Sequence, residues 1–137
     1  KKQFSPVGDT DSERAFCWLM DNLASLTSDA QSDRQALIKQ CADQLATLGV
    51  FNMLLSDAQY LYVYCSTKLH WITRKAPFGI ATLHDDDISV NFNEETSEGD
   101  VVTVVATEPL TANESWEKMA SGELAVFEAG ELLCSTR

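Results

Sequence analysis

Phe51-Asn52-Met53-Leu54-Leu55-Ser56-Asp57-Ala58-Gln59-Tyr60-Leu61-Tyr62-Val63-Tyr64-Cys65 is the stretch at which the apolar period of the chain changes from helical to two. Two strand-like runs, 51–55 and 60–65, flank the turn-forming residues 56–59, and this order predicts a β-hairpin. Side chains alternate along a strand, so Tyr60, Tyr62 and Tyr64 share one face while Leu61, Val63 and Cys65 share the other. Neither face is plainly polar, which predicts a sheet covered on both sides.

Upstream of this stretch the period is helical. Thr10-Asp11-Ser12-Glu13 fits the S/T-x-x-E capping box, and Phe16, Leu19, Met20, Leu23 and Leu26 follow at three- and four-residue steps. Ser32-Asp33-Arg34-Gln35 offers a second box, followed by Leu37, Cys41, Leu45 and Leu48, with Gly49 as terminator. Two amphipathic helices in series are therefore expected.

Downstream the strand signals continue. Leu69 to Arg74 is a third run, broken by Ala76-Pro77-Phe78-Gly79, and Ile88, Val90 and Phe92 alternate with polar residues in a fourth. Val101-Val102-Thr103-Val104-Val105-Ala106 is almost entirely apolar and β-branched, which predicts a central strand buried on both faces in the middle of the sheet. Thr111 to Glu114 is expected to cap a short helical turn through Trp116 and Met119 before Gly122, and Leu124 to Phe127 to form the last strand. Two helices followed by antiparallel strands make an α+β order in one domain.

With 45% hydrophobic residues, 6 Gly and 3 Pro in 137 residues, the chain is neither disordered nor low in complexity. Its net charge of −11 repels nucleic-acid phosphates and anionic lipid, so neither partner is expected. No apolar run approaches the ~20 residues that cross a bilayer, and no signal-peptide pattern opens the chain, so a cytoplasmic location is expected. Cys17, Cys41, Cys65 and Cys134 lie far apart without a CxxC pair, and they predict buried thiols in place of a disulfide scaffold or zinc site. The chain opens Lys1-Lys2-Gln3 without Met and is expected to be a fragment.

No self-contained catalytic signature is present: there is no G-x-S-x-G elbow, phosphate-cradling glycine loop or HExxH helix. Asp85-Asp86-Asp87 offers carboxylates for a hard cation, but it lacks the D-x-D-x-D-G spacing and reads as a solvated turn. Glu94, Glu95, Glu98 and Asp100 read the same way, and neither a metal nor a cofactor is expected. His70, between Leu69 and Trp71, is either an acid–base group or a hydrogen-bonded structural imidazole. Arg74 and Lys75 are either a carboxylate-binding pair or a surface pair offsetting the acidic excess.

Four ordered blocks, Val7 to Glu13, Gly49 to Asp57, Ser66 to Trp71 and Val101 to Leu110, resemble the C-terminal half of the class II glutamine amidotransferases, most closely their short single-domain bacterial branch. The resemblance implies an N-terminal-nucleophile hydrolase fold, two antiparallel sheets sandwiched between helical layers, with residues 1–137 forming the C-terminal part of a single domain. It also implies L-glutamine as substrate, hydrolysed to glutamate and ammonia by an N-terminal Cys. In the family an Asn-Gly pair forms the oxyanion hole, an Arg holds the α-carboxylate, and the Asp of the S/T-D-S/T-E block receives the α-ammonium. That Asp is Asp11 here.

The departures matter equally. This chain has no Asn-Gly dipeptide, and none of its four cysteines matches the family nucleophile, so it is expected to be inactive alone. His70 and Arg74 remain weaker candidates for the rim of the site. Sheet edges and helix faces that a full fold would cover predict association, with the upstream half as a separate polypeptide or with a second copy in a homo-oligomer. The alternative is a non-catalytic binding or assembly module that kept the fold. The acceptor of the ammonia is not encoded in any residue pattern of this chain.

Overall fold

Thr10 does begin a helix: its hydroxyl accepts the Glu13 amide, and α1 runs Asp11–Ala24. The second helix, α2, runs Gln31–Ala46 and starts one residue before the expected Ser32 box, with Ala30 at the cap position and no side-chain cap. Ser28 closes that entry by accepting the Ala30 amide and donating to the Asp33 carboxylate, so Asp33 serves as a first-turn acid and not as part of a reciprocal box. Leu19 on α1 and Ile38, Cys41 and Ala42 on α2 are buried; the α2 stripe is thus rotated from the expected Leu37–Leu48 line, and Leu48 is exposed. In the computed structural model, which describes residues 2–76, 80–82, 89–91 and 99–137, these helices pack together in a first compact unit, residues 1–51.

The second unit, residues 52–137, holds the sheets. The expected hairpin forms: β1 (Met53–Ser56) pairs antiparallel with β2 (Tyr60–Cys65), with Met53 opposite Tyr64 and Ser56 opposite Leu61. Its turn is shaped by Asp57, whose carboxylate accepts the amides of Gln59 and Tyr60 and the hydroxyl of Tyr62, while Ala58 takes φ 74°. At the other end Asn52 accepts the amides of Ser66 and Thr67 through Oδ1 and donates Nδ2 to the Thr67 hydroxyl. One side chain therefore closes the open end of the hairpin.

The chain then forms β3 (His70–Lys75), β4 (Ile80–Thr82), β5 (Ser89–Asn91), β6 (Val101–Ala106), β7 (Glu117–Lys118), β8 (Glu123–Glu128) and β9 (Glu131–Thr136). Two of the sheets have the orders β1-β2-β8-β9 and β6-β3-β7, and β4 pairs with β5. Every pairing is antiparallel. Ile88, Phe92, residues 77–79 and Asp85-Asp86-Asp87 lie outside the described residues.

Alternation along β2 and β8 brings Leu61, Val63, Cys65, Ala125 and Phe127 onto one face, where they meet Trp71 and Val105 of the second sheet and Leu69 and Met119, which flank its strands β3 and β7. Trp71 and Phe127 meet edge-on, ring centroids 5.4 Å apart at 76°. Tyr62, Tyr64, Leu124 and Val126 on the opposite face are buried as well, as the two apolar faces of β2 predict. The alternation is that of packed antiparallel sheets.

Three expectations fail here. Val101–Ala106 is not a central strand: among the described residues β6 pairs with β3 alone, and Val102 is 44% exposed. Its β-branched run reflects packing on one face and β-propensity, which apolar composition alone cannot separate from double burial. Residues 111–119 form no helical turn, because Glu117 and Lys118 instead extend the edge of β3 as β7. Leu124–Phe127 is followed by a further strand, β9, across the turn Ala129-Gly130.

That turn docks onto β6. Gly130 has φ +81°, and a Cβ there would sit 2.4 Å from the Val101 carbonyl oxygen. Thr103 donates its hydroxyl to the Gly130 carbonyl at 2.7 Å, so the hydroxyl of Thr73, 2.7 Å away, must donate to Thr103. Gly130→Ala should therefore lower the unfolding free energy by about 2 kcal/mol or more, from left-handed backbone strain plus the overlap. Urea denaturation measures this, and an unchanged midpoint would show that the turn does not need its glycine.

Candidate functional site

The residues singled out by sequence fall on both units. Asp11 is the first residue of α1, where the Thr10 hydroxyl caps the Glu13 amide, and its side chain is fully exposed. Arg14 Nη1 approaches Asp11 Oδ1 at 3.9 Å, with both groups exposed. Such a pair contributes about 0–1 kcal/mol and leaves the carboxylate open to an external cation. Glu13 departs from the reciprocal box: its carboxylate accepts the amides of Val7 at 2.7 Å and Gly8 at 2.8 Å, further upstream than the Thr10 amide a capping box would engage.

His70 and Arg74 share one face of β3, opposite the face that carries Trp71. Both engage the segment that connects β6 to β7. His70 is 8% exposed, and its Nδ1 lies 3.0 Å from the Thr107 carbonyl. A carbonyl only accepts, so Nδ1 carries the proton and the imidazole is tied to backbone. Two positions earlier Lys68 forms an ion pair with Glu108 of the same segment.

Arg74 makes a two-pronged ion pair with Glu114: Nε to Oε2 at 2.8 Å and Nη2 to Oε1 at 2.6 Å, the side chains only 14% and 19% exposed. Trp116 Nε1 donates to the Thr111 hydroxyl at 2.9 Å, and that hydroxyl donates to Glu114 at 2.8 Å. The Arg74 guanidinium, with the Thr111 hydroxyl, holds the Glu114 carboxyl below the usual glutamate range despite its burial. Thr111 and Glu114, expected to cap a helical turn, instead use their three-residue spacing to seat Glu114 against Arg74. A guanidinium so occupied braces the β6–β7 segment.

Two of the four thiols, Cys41 and Cys65, are buried, and burial pushes both up, away from the thiolate that attacks a carbonyl. No disulfide joins any of the four cysteines. Among the described residues no three His, Cys, Asp or Glu side chains are grouped to hold a metal ion. No helix there is long and apolar enough to cross a membrane.

The family described as glutamine amidotransferases class-II matches residues 1–137. The Escherichia coli (strain K12) protein named "Putative glutamine amidotransferase YafJ" is 53% identical over 131 residues, covering 93% of this chain and 51% of the relative. A Haemophilus influenzae protein named "Putative glutamine amidotransferase" is 41% identical over 128 residues, covering 92% of this chain and 44% of the relative. A crystal structure described as a predicted glutamine amidotransferase from Pseudomonas aeruginosa superposes with a TM-score of 0.84 at 43% identity, covering 98% of this chain and 54% of that one. The chain thus spans about half the length of the curated relatives it matches.

Arg74→Met leaves a half-buried carboxylate without its partner and should destabilise the chain by about 2 kcal/mol. The sign of its pH dependence follows from Glu114: a carboxyl held low when folded stabilises above the ordinary glutamate value, near 4.3, and loses that contribution as pH falls through the folded value. The stability gap between wild type and variant should be full above about pH 5 and close on acidification. Chemical denaturation from pH 7 to pH 3 measures it; a gap independent of pH would exclude Glu114 as its source.

Proposed function

The chain belongs to the class II glutamine amidotransferases, and from that premise we propose that it forms the C-terminal part of one enzyme domain that hydrolyses L-glutamine to glutamate and ammonia. In this reading the nucleophile is an N-terminal Cys carried outside this chain, within an N-terminal-nucleophile hydrolase fold. Its thiol adds to the side-chain amide carbonyl with the terminal α-amine as base. Ammonia leaves as the carbonyl re-forms, and water then cleaves the thioester to glutamate.

The contribution of this chain is Asp11, which receives the glutamine α-ammonium. The observation that carries this is the division of labour at α1: Thr10 and Glu13 occupy the capping and loop contacts, and Asp11 is left fully exposed, with only the exposed Arg14 guanidinium 3.9 Å away. A carboxylate held on the rigid first turn of a helix suits recognition of a fixed ammonium.

His70 and Arg74 serve the fold of the second unit and not the substrate; their engagement with Thr107 and Glu114 supports this. The upstream half of the domain, or a second copy in a homo-oligomer, covers the apolar side chains this chain leaves exposed, among them Phe16, Leu132 and Leu133. A cytoplasmic location fits four cysteines that form no disulfide.

A diazo-ketone glutamine analogue, which alkylates a thiol positioned as a glutamine nucleophile, tests the assignment. Intact mass should show no adduct on residues 1–137 alone and one adduct on the upstream segment of the longer polypeptide. Labelling of Cys17, Cys41, Cys65 or Cys134 would place the nucleophile in this chain and overturn the reading. In the longer polypeptide Asp11→Asn should lower kcat/KM for glutamine about 30-fold or more, the equivalent of losing about 2 kcal/mol of charge pairing. Unaltered turnover would deny Asp11 a ligand role, whereas absence of any glutamine turnover by the longer polypeptide would favour a non-catalytic module.

A further inference from the structure

We propose that Glu13 is a positioning residue for glutamine: its carboxylate holds the Val7–Thr10 loop in the one conformation from which Asp11 meets the α-ammonium. This rests on the assignment of Asp11 made above. Residues 2–12 are all exposed, so little packing fixes their path. Two carboxylates of α1 supply the order instead. Asp21 accepts the amides of Gln3 at 2.7 Å and Phe4 at 2.9 Å, and Glu13 accepts those of Val7 and Gly8.

The spacing of the two clamps explains their fit. Eight helical residues rise about 12 Å, and four residues of nearly extended chain reach about 13 Å. The segment therefore runs back along α1 with each pair of amides in step with one carboxylate. The Phe4 and Gln3 amides hold the Asp21 carboxyl below the usual aspartate range, as charge-assisted bonds require.

The Glu13 clamp is the one next to the ligand. Its own amide donates to Thr10 Oγ1 at 3.3 Å, so Glu13 is bound to the loop through both backbone and carboxylate. Gly8 makes the approach possible, because a Cβ at that position would sit 2.6 Å from Glu13 Oε2. Ordinary capping needs a hydrogen bond only to the amide of the cap residue; reaching to residues 7 and 8 does nothing further for the helix and closes the loop that ends at Asp11. A shift of the order of 1 Å in a binding group is enough to reduce productive binding markedly.

The test uses the longer polypeptide with the N-terminal Cys, and compares glutamine with 4-carbamoylbutanoate, which keeps the amide and carboxylate but lacks the α-amino group. Glu13→Ala should raise KM for glutamine about ten-fold with kcat nearly unchanged, and leave the inhibition constant of 4-carbamoylbutanoate where it was. Gly8→Ala, which pushes the carboxylate away, should reproduce that pattern, and Glu13→Gln, which keeps one acceptor, should fall between. If Glu13→Ala fails to fold, the other two variants carry the comparison. An equal loss for both ligands marks Glu13 as merely structural and overturns the proposal, as does no loss for either. Asp11→Asn run in parallel separates the two failures: if Asp11→Asn raises KM while Glu13→Ala and Gly8→Ala are silent, only the Glu13 proposal falls; if Asp11→Asn is silent, the Asp11 reading falls and takes the proposal with it.

Discussion

The contact between the two larger sheets, with Val63, Cys65, Ala125 and Phe127 on one side and Leu69, Trp71, Val105 and Met119 on the other, is the constraint on which the second unit depends. Apolar burial of this kind is strong but non-directional, so it brings the sheets together without fixing how they register. Directional contacts at the two ends do that. At one end the Thr73–Thr103–Gly130 chain and the Lys75–Glu131 ion pair join β3 and β6 to the β8–β9 turn. At the other, Asn52 gathers Ser66 and Thr67, Ser121 donates to the Ser66 carbonyl, and the amides of Met119 and Gly122 donate to the carbonyls of Leu69 and Cys65.

β3 is therefore two strands in one. Its inner face carries Trp71 and Thr73 toward the first sheet, and its outer face carries His70, Ile72 and Arg74. His70 and Arg74, with Lys68 just before the strand, each hold a point on the β6–β7 segment: Thr107, Glu114 and Glu108 respectively. Magnitude separates these contacts. The exposed Lys68–Glu108 pair contributes at most about 1 kcal/mol, whereas the half-buried, two-pronged Arg74–Glu114 pair is a large loss if broken. A basic residue beside an aromatic on a strand is ambiguous in sequence, and only the folded chain shows that Arg74 pairs with Glu114, forty residues away.

The helix of the first unit shows the reverse case. The pattern Thr10-Asp11-Ser12-Glu13 is local, and its main consequence, a helix beginning at Asp11 with Asp11 outward, is legible because capping involves neighbours within one turn. What the pattern hides is the destination of the Glu13 carboxylate, because a flexible side chain can reach either Thr10 or the residues before it. The family relationship, carried by blocks spread from Val7 to Leu110, was likewise legible from residue order alone, and the match over residues 1–137 agrees with it.

The sequence by itself determined what depends on near neighbours: two helices, the hairpin 53–65 with two apolar faces, the α+β order and the family. Periodicity and capping are properties of a few consecutive residues, so they survive without knowledge of the fold. The tertiary structure alone decided what depends on distant partners. Among the described residues it made β6 an edge of its sheet, turned the expected helical turn at 111–119 into the seat of Glu114 and the strand β7, and added β9 beyond Gly130. It also gave His70 and Arg74 their partners in the β6–β7 segment, because which groups come within hydrogen-bond reach depends on the folded chain.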